Sequence, residues 1–491
     1  MPRFAAGLLV FSTSAAVLVL EILAGRLLAP YVGVSLETYT GIIGTVLAGI
    51  SLGTWLGGRA ADRIDPRGIL GPLLILGGAL ALCTIPAIRL FGGLQLGSGP
   101  VAIVTLALVG FFGPATVLSA VSPTVVKLQL ADLDETGRVV GRLSALGTAG
   151  AIFGTFATGF VLVATVPTTP IVVGLGALLV AAGVLLWAWL GRGHGTRLPV
   201  GVLALAVLSG GLTVLLPSPC QFESPYFCAR VVPDPSRATG RTLMLDRLRH
   251  SYVDLADPTH LEFSYTQIMS DVIAALAPEG APIEALHVGG GGFSLPRYIA
   301  AVRPGSLSRV LELDPTIPRI ARAELGLVTG PDLQVRVGDA RLSLADEPPG
   351  RYGLVIGDAF GGQAVPWHLT TVEFIEGVKR VMAPGGVYAL NLIDYPPLGF
   401  ARAEVATLRE RFAHVAVIAP PARIGGAAGG NFVIVASDAP LDIAAIQARN
   451  RARGDNDLVA SGDAALDAFV AGAPVLTDDY APVDQLLTPL T

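Results

Sequence analysis

Residues 286–297, LHVGGGGFSLPR, set four consecutive glycines, Gly289, Gly290, Gly291 and Gly292, between a short apolar run and a helix start, and the next apolar run ends in Leu311-Glu312-Leu313-Asp314. Glycines let a chain turn tightly and approach a ligand with its backbone, and a carboxylate at the end of the following strand can accept hydrogen bonds from both hydroxyls of a ribose. Strand, glycine turn, helix, strand and acid is the order of a nucleoside-binding α/β fold. Two further acids stand in comparable places, Asp339 in Val337-Gly338-Asp339-Ala340 and Asp358 in Ile356-Gly357-Asp358-Ala359-Phe360. Glu312 is expected to hold ribose, the alternative being a helix cap or a solvated strand end. Asp339 suits an adenine amino group, or serves only its turn. Asp358 would sit beside the reacting group and hold or deprotonate an attacking amine, unless it merely shapes the turn.

These residues need a scaffold, and the pattern supplies one. Strands are expected at 284–288, 309–313, 333–337, 352–357, 386–392, 413–418 and 431–436, and helices at 294–303, 315–324, 371–382 and 399–412, after a helix around Phe263–Leu276 and a strand-like stretch from Arg241 to Tyr252. Strands alternating with helices imply a mainly parallel, doubly wound sheet with its ligand at the carboxyl ends of the strands. The glycine turn, Glu312, Asp339 and Asp358 all fall at such ends.

The rest of the chain is of another kind. Of its 491 residues, 11 of the 33 basic and 7 of the 38 acidic lie before Pro217, a net of +4, against −9 after it. Apolar runs at 5–28, 38–57, 69–91, 100–126, 143–165, 170–190 and 198–217 are each near the ~20 residues of a spanning helix, so a multi-pass bundle of about seven helices is expected. Three segments follow: a transmembrane domain at 1–217, a small strand-rich lead-in at 218–280, and the nucleoside-binding α/β domain at 281–491. Arg3, Arg59, Arg63, Arg67, Lys127, Arg138, Arg142, Arg192 and Arg197 fall on one side of the connections and Arg89 alone on the other, which puts the N-terminus in the cytoplasm and the C-terminal domain outside it. No cleavable signal peptide is expected, because the first apolar run is too long and has no small-residue cleavage site. Cys220 and Cys228 would pair on that outer side, the alternative being two unrelated thiols, and Cys83 is a small buried hydrophobe. No metal site is expected. Glu21 and Arg26 are costly in lipid and would face a bundle interior or cavity and line a substrate path, the alternative being that they pair with each other or lie near the interface. Gly53 and Gly57, and Gly147, Gly150 and Gly154, suit close helix packing, and Ser122-Pro123 is placed to bend the fourth helix.

The chain resembles the spermidine synthase family, specifically its membrane-fused bacterial branch. The resemblance rests on residues 21–63 in the membrane half, and in the soluble half on LMLDRLRHSYV, FSYTQIM, HVGGGGFSLPR, VLELD, VGDAR, YGLVIGDAF, FIEGVKRVMAPGG and LTDDYAPV. It implies a methyltransferase-like spermidine synthase domain binding decarboxylated S-adenosylmethionine, or S-adenosylmethionine itself, with transfer of an aminopropyl group to an amine such as putrescine. Carried over, Glu312 binds ribose, Asp339 adenine, and Asp358 is the amine-binding base with Tyr265 beside it; Gly289–Gly292 and His250 contact the donor, and Gln267 the substrate.

The chain departs from that pattern at four places. The family's GGGDGG has Gly292 where the aspartate belongs, the partner of the catalytic aspartate is Gly361, Tyr-x-Glu becomes Tyr265-Thr266-Gln267, and His250 replaces a cofactor-contacting glutamine. Each lost acid removes a charge-assisted hydrogen bond of about 1.5–3 kcal/mol, which Asp254, Asp257, Glu262, Asp394, Asp478 or Asp479 would have to replace. Two other functions therefore stand beside aminopropyl transfer: a diverged enzyme on the same scaffold, a methyltransferase or a cofactor-independent one, acting on an extracytoplasmic amine or peptide; and a polyamine transport or sensing protein, for which Glu21 and Glu37 would guide cations. The expected partners are a small-molecule amine or polyamine and the lipid bilayer, with no nucleic acid and a homodimer left open.

Overall fold

The computed structural model describes every residue except 95, 96, 98, 131, 132, 192–197, 363 and 489–491, so Arg192 and Arg197 of the charge pattern lie outside it. The chain divides into two compact units, Met1–Arg230 with Leu245–Arg247, and Val231–Met244 with Leu248–Thr491.

In the first unit, six helices among the described residues are long and apolar enough to cross a membrane: α1 (Arg3–Val32), α2 (Leu36–Arg63), α3 (Pro66–Gly92), α4 (Pro100–Gln129), α5 (Thr136–Thr165) and α6 (Thr168–Leu190). The seventh apolar run forms a shorter helix, α7 (Val200–Leu215), of 16 residues. At 1.5 Å per residue that is about 24 Å, less than the ~30 Å of a hydrocarbon core. The run loses length because its ends, at Pro199 and Leu216, leave helical geometry. In α4 the helix is interrupted at Ala120, just before Ser122-Pro123.

Small residues set the helix spacing. A Cβ on Gly53 would lie 2.0 Å from the Thr116 carbonyl oxygen and one on Gly150 2.1 Å from that of Phe11; those on Gly57 and Gly154 would lie 2.6 Å from Ala120 and 2.5 Å from Ala15. Backbone therefore packs on backbone between α2 and α4 and between α1 and α5, the close approach that small side chains permit in lipid. At one end of this unit Lys127 pairs with Asp62 at 2.9 Å, Arg3 approaches Glu135 at 3.9 Å, and Gln129 donates to the Met1 carbonyl. At the other end Arg89 donates to the carbonyls of Thr213 and Leu216 at the close of α7, Glu223 accepts from Thr169 N at the start of α6, and Arg26 donates to the Ser224 carbonyl. Cationic groups on C-terminal carbonyls and an acid on N-terminal amides both complement the helix dipole. Cys220 and Cys228 form a disulfide in the segment that follows α7.

Residues 222–254 form a four-stranded sheet of β1 (Phe222–Glu223), β2 (Cys228–Asp234), β3 (Arg237–Leu245) and β4 (Leu248–Asp254), in that order. The stretch 241–252 is thus two strands turning at Asp246, where φ is 52°.

The second unit is built on an eight-stranded sheet in the order β12-β10-β11-β9-β8-β5-β6-β7, with β5 (Glu284–Val288), β6 (Leu307–Glu312), β7 (Leu333–Val337), β8 (Tyr352–Gly357), β9 (Met382–Asp394), β10 (His414–Ala419), β11 (Gly430–Ser437) and β12 (Leu458–Ser461). From β7 to β9 neighbouring strands are parallel; β9 to β11, β11 to β10 and β10 to β12 are antiparallel. The parallel half is as expected. The antiparallel half follows from the link between β10 and β11, residues 420–429, which is too short for a parallel crossover. Helices α8 (Ser264–Ala275), α9 (Ser294–Val302), α10 (Thr316–Glu324), α11 (Ala340–Ala345), α12 (Val372–Val381), α13 (Gly399–Arg409), α14 (Ile443–Ala452) and α15 (Asp463–Val470) accompany the sheet. Alternate residues of β9 serve its two faces: Tyr388, Leu390 and Leu392 join the core with α12 and α13, while Val387 and Ala389 join the core with α8 and α9. Both faces are covered, which is why these strands read as near-continuous apolar runs.

Candidate active site

The first βα turn fixes the site. Gly289 N donates to the Leu311 carbonyl, and the glycine has φ of 99° with its would-be Cβ 2.3 Å from the Asp358 carbonyl oxygen, so only glycine fits. Gly291 also has positive φ, and Phe293, fully buried, holds the turn in left-handed geometry at the start of α9. No side chain caps that helix start, which leaves bare backbone of the kind an anionic or polar ligand group can approach.

Beside this turn lies a cavity of about 420 Å³, lined by all four glycines, Leu248 to Ser251 of β4, Glu262 to Thr266 at the start of α8, His287, Asp358, Asn391, Tyr395 and Asn431. Its volume falls in the range of small-molecule sites. At its centre the Tyr265 hydroxyl donates to Asp358 Oδ2 at 3.0 Å and Asn391 Nδ2 donates to Oδ1 at 2.8 Å. Asn431 in turn donates to Asn391 Oδ1 at 3.0 Å, which orients the amide. Burial pushes the Asp358 carboxyl up to about 6, and the hydrogen bonds from Asn391 and Tyr265 oppose that rise. Burial, and secondarily the Asp358 charge, raises the Tyr265 phenol well above its ordinary value, so it stays a hydrogen-bond donor. A carboxylate titrating near neutrality, held on both oxygens and open to a cavity, has the properties of a general base.

Sequence reasoning named Asp358, Tyr265, His250 and the glycines, and the structure brings them together in one wall. His250 stands over the turn, its ring 3.5 Å from the would-be Cβ of Gly291, and burial lowers it to about 4, so it is neutral at pH 7. Glu312 and Asp339 lie at the same edge of the sheet but not in the cavity wall. Glu312 is 8% exposed and accepts from Gly290 N and Asp314 N, both at 2.9 Å; burial raises its carboxyl against those bonds. It braces the glycine turn from behind. Asp339 caps α11 through Leu342 N and meets His368 Nε2 at 3.1 Å. Gln267 faces elsewhere: its amide nitrogen donates to the Leu261 carbonyl and its oxygen accepts from Arg453. The expected substrate contact is replaced by a structural one, because one helical position separates Gln267 from the cavity face that carries Tyr265 and Thr266.

Of the six acids considered as replacements for the lost family acids, only Glu262 reaches the cavity wall. Asp254 and Asp257 pair with Arg237, Asp394 caps the Ala401 and Tyr395 amides, and Asp478 is held by Arg341 and Thr371. Asp479 lines a separate hollow with Tyr480. Asn391, Asn431 and Ser251 were not anticipated. The one signal was a lone asparagine in the apolar run YALNLI, since a polar side chain in a buried strand requires a partner.

No family model matches the chain. It is 31% identical to a polyamine aminopropyltransferase of Vibrio vulnificus over 121 residues, 24% of this chain and 40% of that protein. It is 30% identical to the eEF1A lysine and N-terminal methyltransferase of Mus musculus over 121 residues, 23% of this chain and 17% of that protein. It therefore spans less than two thirds of either relative. Among solved structures, a probable spermidine synthase from Corynebacterium glutamicum is 30% identical, with 55% of this chain and 98% of that chain covered and a TM-score of 0.49. Over the stretches matched, the chain is thus similar to polyamine aminopropyltransferases and to a methyltransferase.

Proposed function

We propose that the C-terminal domain moves an alkyl group from an adenosyl sulfonium to an amine, with Asp358 as the base. The observation that carries this reading is the Tyr265–Asp358–Asn391 constellation, a raised carboxyl held on both oxygens at the end of β8 beside the glycine turn. In the step, the amine lone pair attacks a carbon on the sulfonium, the carbon–sulfur pair leaves with sulfur as a neutral thioether, and the amine proton passes to Asp358. Tyr265 and Asn391 keep the carboxylate aimed, so its lone pair meets the amine without reorganisation. In the narrowest form of the reading the donor is decarboxylated S-adenosylmethionine, the group is aminopropyl and the acceptor is a diamine such as putrescine. The similarity to a methyltransferase supports methyl transfer as the second form.

The same proposal includes a membrane-bound protein with its N-terminus in the cytoplasm and its C-terminal domain outside, supported by the basic connections gathered at one end of the first unit and the disulfide after α7 at the other. Purified full-length protein should bind an adenosyl thioether by calorimetry, and Asp358→Asn should lose 10²–10⁴ in turnover, the usual weight of general-base catalysis. Absence of binding at millimolar ligand would remove the proposal.

A further inference from the structure

Two groups in the cavity wall have no part in the chemistry above. Ser251 on β4 is 6% exposed, and among the described residues its hydroxyl has no hydrogen-bond partner. It stands against the glycine turn, where a Cβ on Gly292 would come within 2.4 Å of its Oγ. A buried hydroxyl without a partner is a site for a ligand acceptor, since hydrogen bonding relieves its lost hydration. Arg249, two residues earlier on the same strand, also lines the cavity. Its guanidinium lies 5.2 Å from the Phe263 ring centroid and 3.7 Å from Glu262, a loose pair with the arginine side chain half exposed.

The charges of the wall are then few. Among the described residues, Asp358 and Glu262 are its carboxylates and Arg249 its guanidinium, a net of one negative charge. His250 and His287 add none at neutral pH, because burial lowers them to about 4 and about 3. A decarboxylated donor brings a sulfonium and an ammonium, and a diamine attacking through one neutral nitrogen brings a second ammonium. Three like charges would then face a single opposing one in a partly desolvated site, where each unpaired charge is costly. A donor that keeps its carboxylate brings one net positive charge, and a neutral attacking amine adds none. That count matches the wall.

Resting on the sulfonium-transfer reading, we infer that the donor of this site carries a free carboxylate, which the Arg249 guanidinium and the Ser251 hydroxyl hold beside the glycine turn. The donor is then S-adenosylmethionine itself, and the position where the family places an acid has become a seat for an anion. Arginine suits that task through its paired donors.

Two thioethers separate this inference from the reading beneath it. S-Adenosylhomocysteine has the amino-acid tail and methylthioadenosine does not. Calorimetry on the full-length protein in detergent should give S-adenosylhomocysteine at least tenfold tighter than methylthioadenosine, and S-adenosylmethionine tighter than its decarboxylated form. Arg249→Gln, at an exposed side chain, and Ser251→Ala should each collapse the first ratio while leaving methylthioadenosine binding in place. Equal affinities of the two thioethers, or tighter binding of the decarboxylated donor, would overturn the inference and leave sulfonium transfer standing. Failure of both thioethers to bind would overturn the two together.

Discussion

Asp358 is defined by what touches it. One oxygen takes the Tyr265 hydroxyl and the other the Asn391 amide, while burial raises the acid to about 6. Only the ionised form accepts a proton, so kcat/KM should rise with pH through a limb near 6. Tyr265→Phe removes a bond that holds the carboxyl down, so this limb should move to higher pH, with a smaller loss of rate above it; a profile that stays in place would detach Tyr265 from the base. Asp358 was legible in the sequence because it ends a strand in a glycine-bearing turn, and Tyr265 only through the resemblance of FSYTQIM to a family motif. Asn391 and Asn431 were not, since each sits in an apolar strand and the link between them runs across a sheet pairing that local sequence does not encode.

At the scale of elements, the parallel strands β5 to β8 and the helices α9 and α10 could be read within a residue or two, because each strand is an apolar run closed by glycine or aspartate; the short α11 between β7 and β8 was not read. The added edge strand β12 and helices α14 and α15 were missed. They carry weaker patterns, and α14 buries only Ile446 and Asn450. The roles of Glu312 and Asp339 were obscured for another reason: a strand-end carboxylate satisfies a neighbouring backbone N–H as readily as a ribose hydroxyl. In the helical unit, glycine spacing was informative, and its energetic weight can be measured. Gly150→Ala sets a methyl 2.1 Å from the Phe11 carbonyl oxygen, whereas Gly141→Ala meets nothing within 4 Å. Thermal unfolding in detergent should show the first destabilised by about 1–3 kcal/mol and the second unchanged or slightly stabilised. Equal effects would mean that α1 and α5 do not depend on this contact.

At the scale of the molecule, sidedness decides which metabolites can reach the site. The number of crossings is sensitive to α7, which at 16 residues is short of a full span yet is held by Arg89 at its last carbonyls. With the N-terminus in the cytoplasm, as proposed, a crossing α7 would put Cys220 and Cys228 outside it. In intact cells an impermeant maleimide should then label neither cysteine until an impermeant reductant is added, after which both should react. Labelling that requires permeabilised cells would reverse the orientation and place the adenosyl donor within direct reach of the site.

The contact between Gly292 and Ser251 also constrains how this sequence can change. An aspartate at 292 would drive its Cβ to 2.4 Å from the serine oxygen and 3.1 Å from its Cβ, so that substitution alone is expected to disrupt the turn before its charge can act. Ser251→Gly removes both atoms and opens the space, yet alone it gives up a hydroxyl and gains no acid. Each single step is expected to be a loss, and only the pair gives an acidic turn, so this sequence faces a two-step barrier to an ammonium-gripping site.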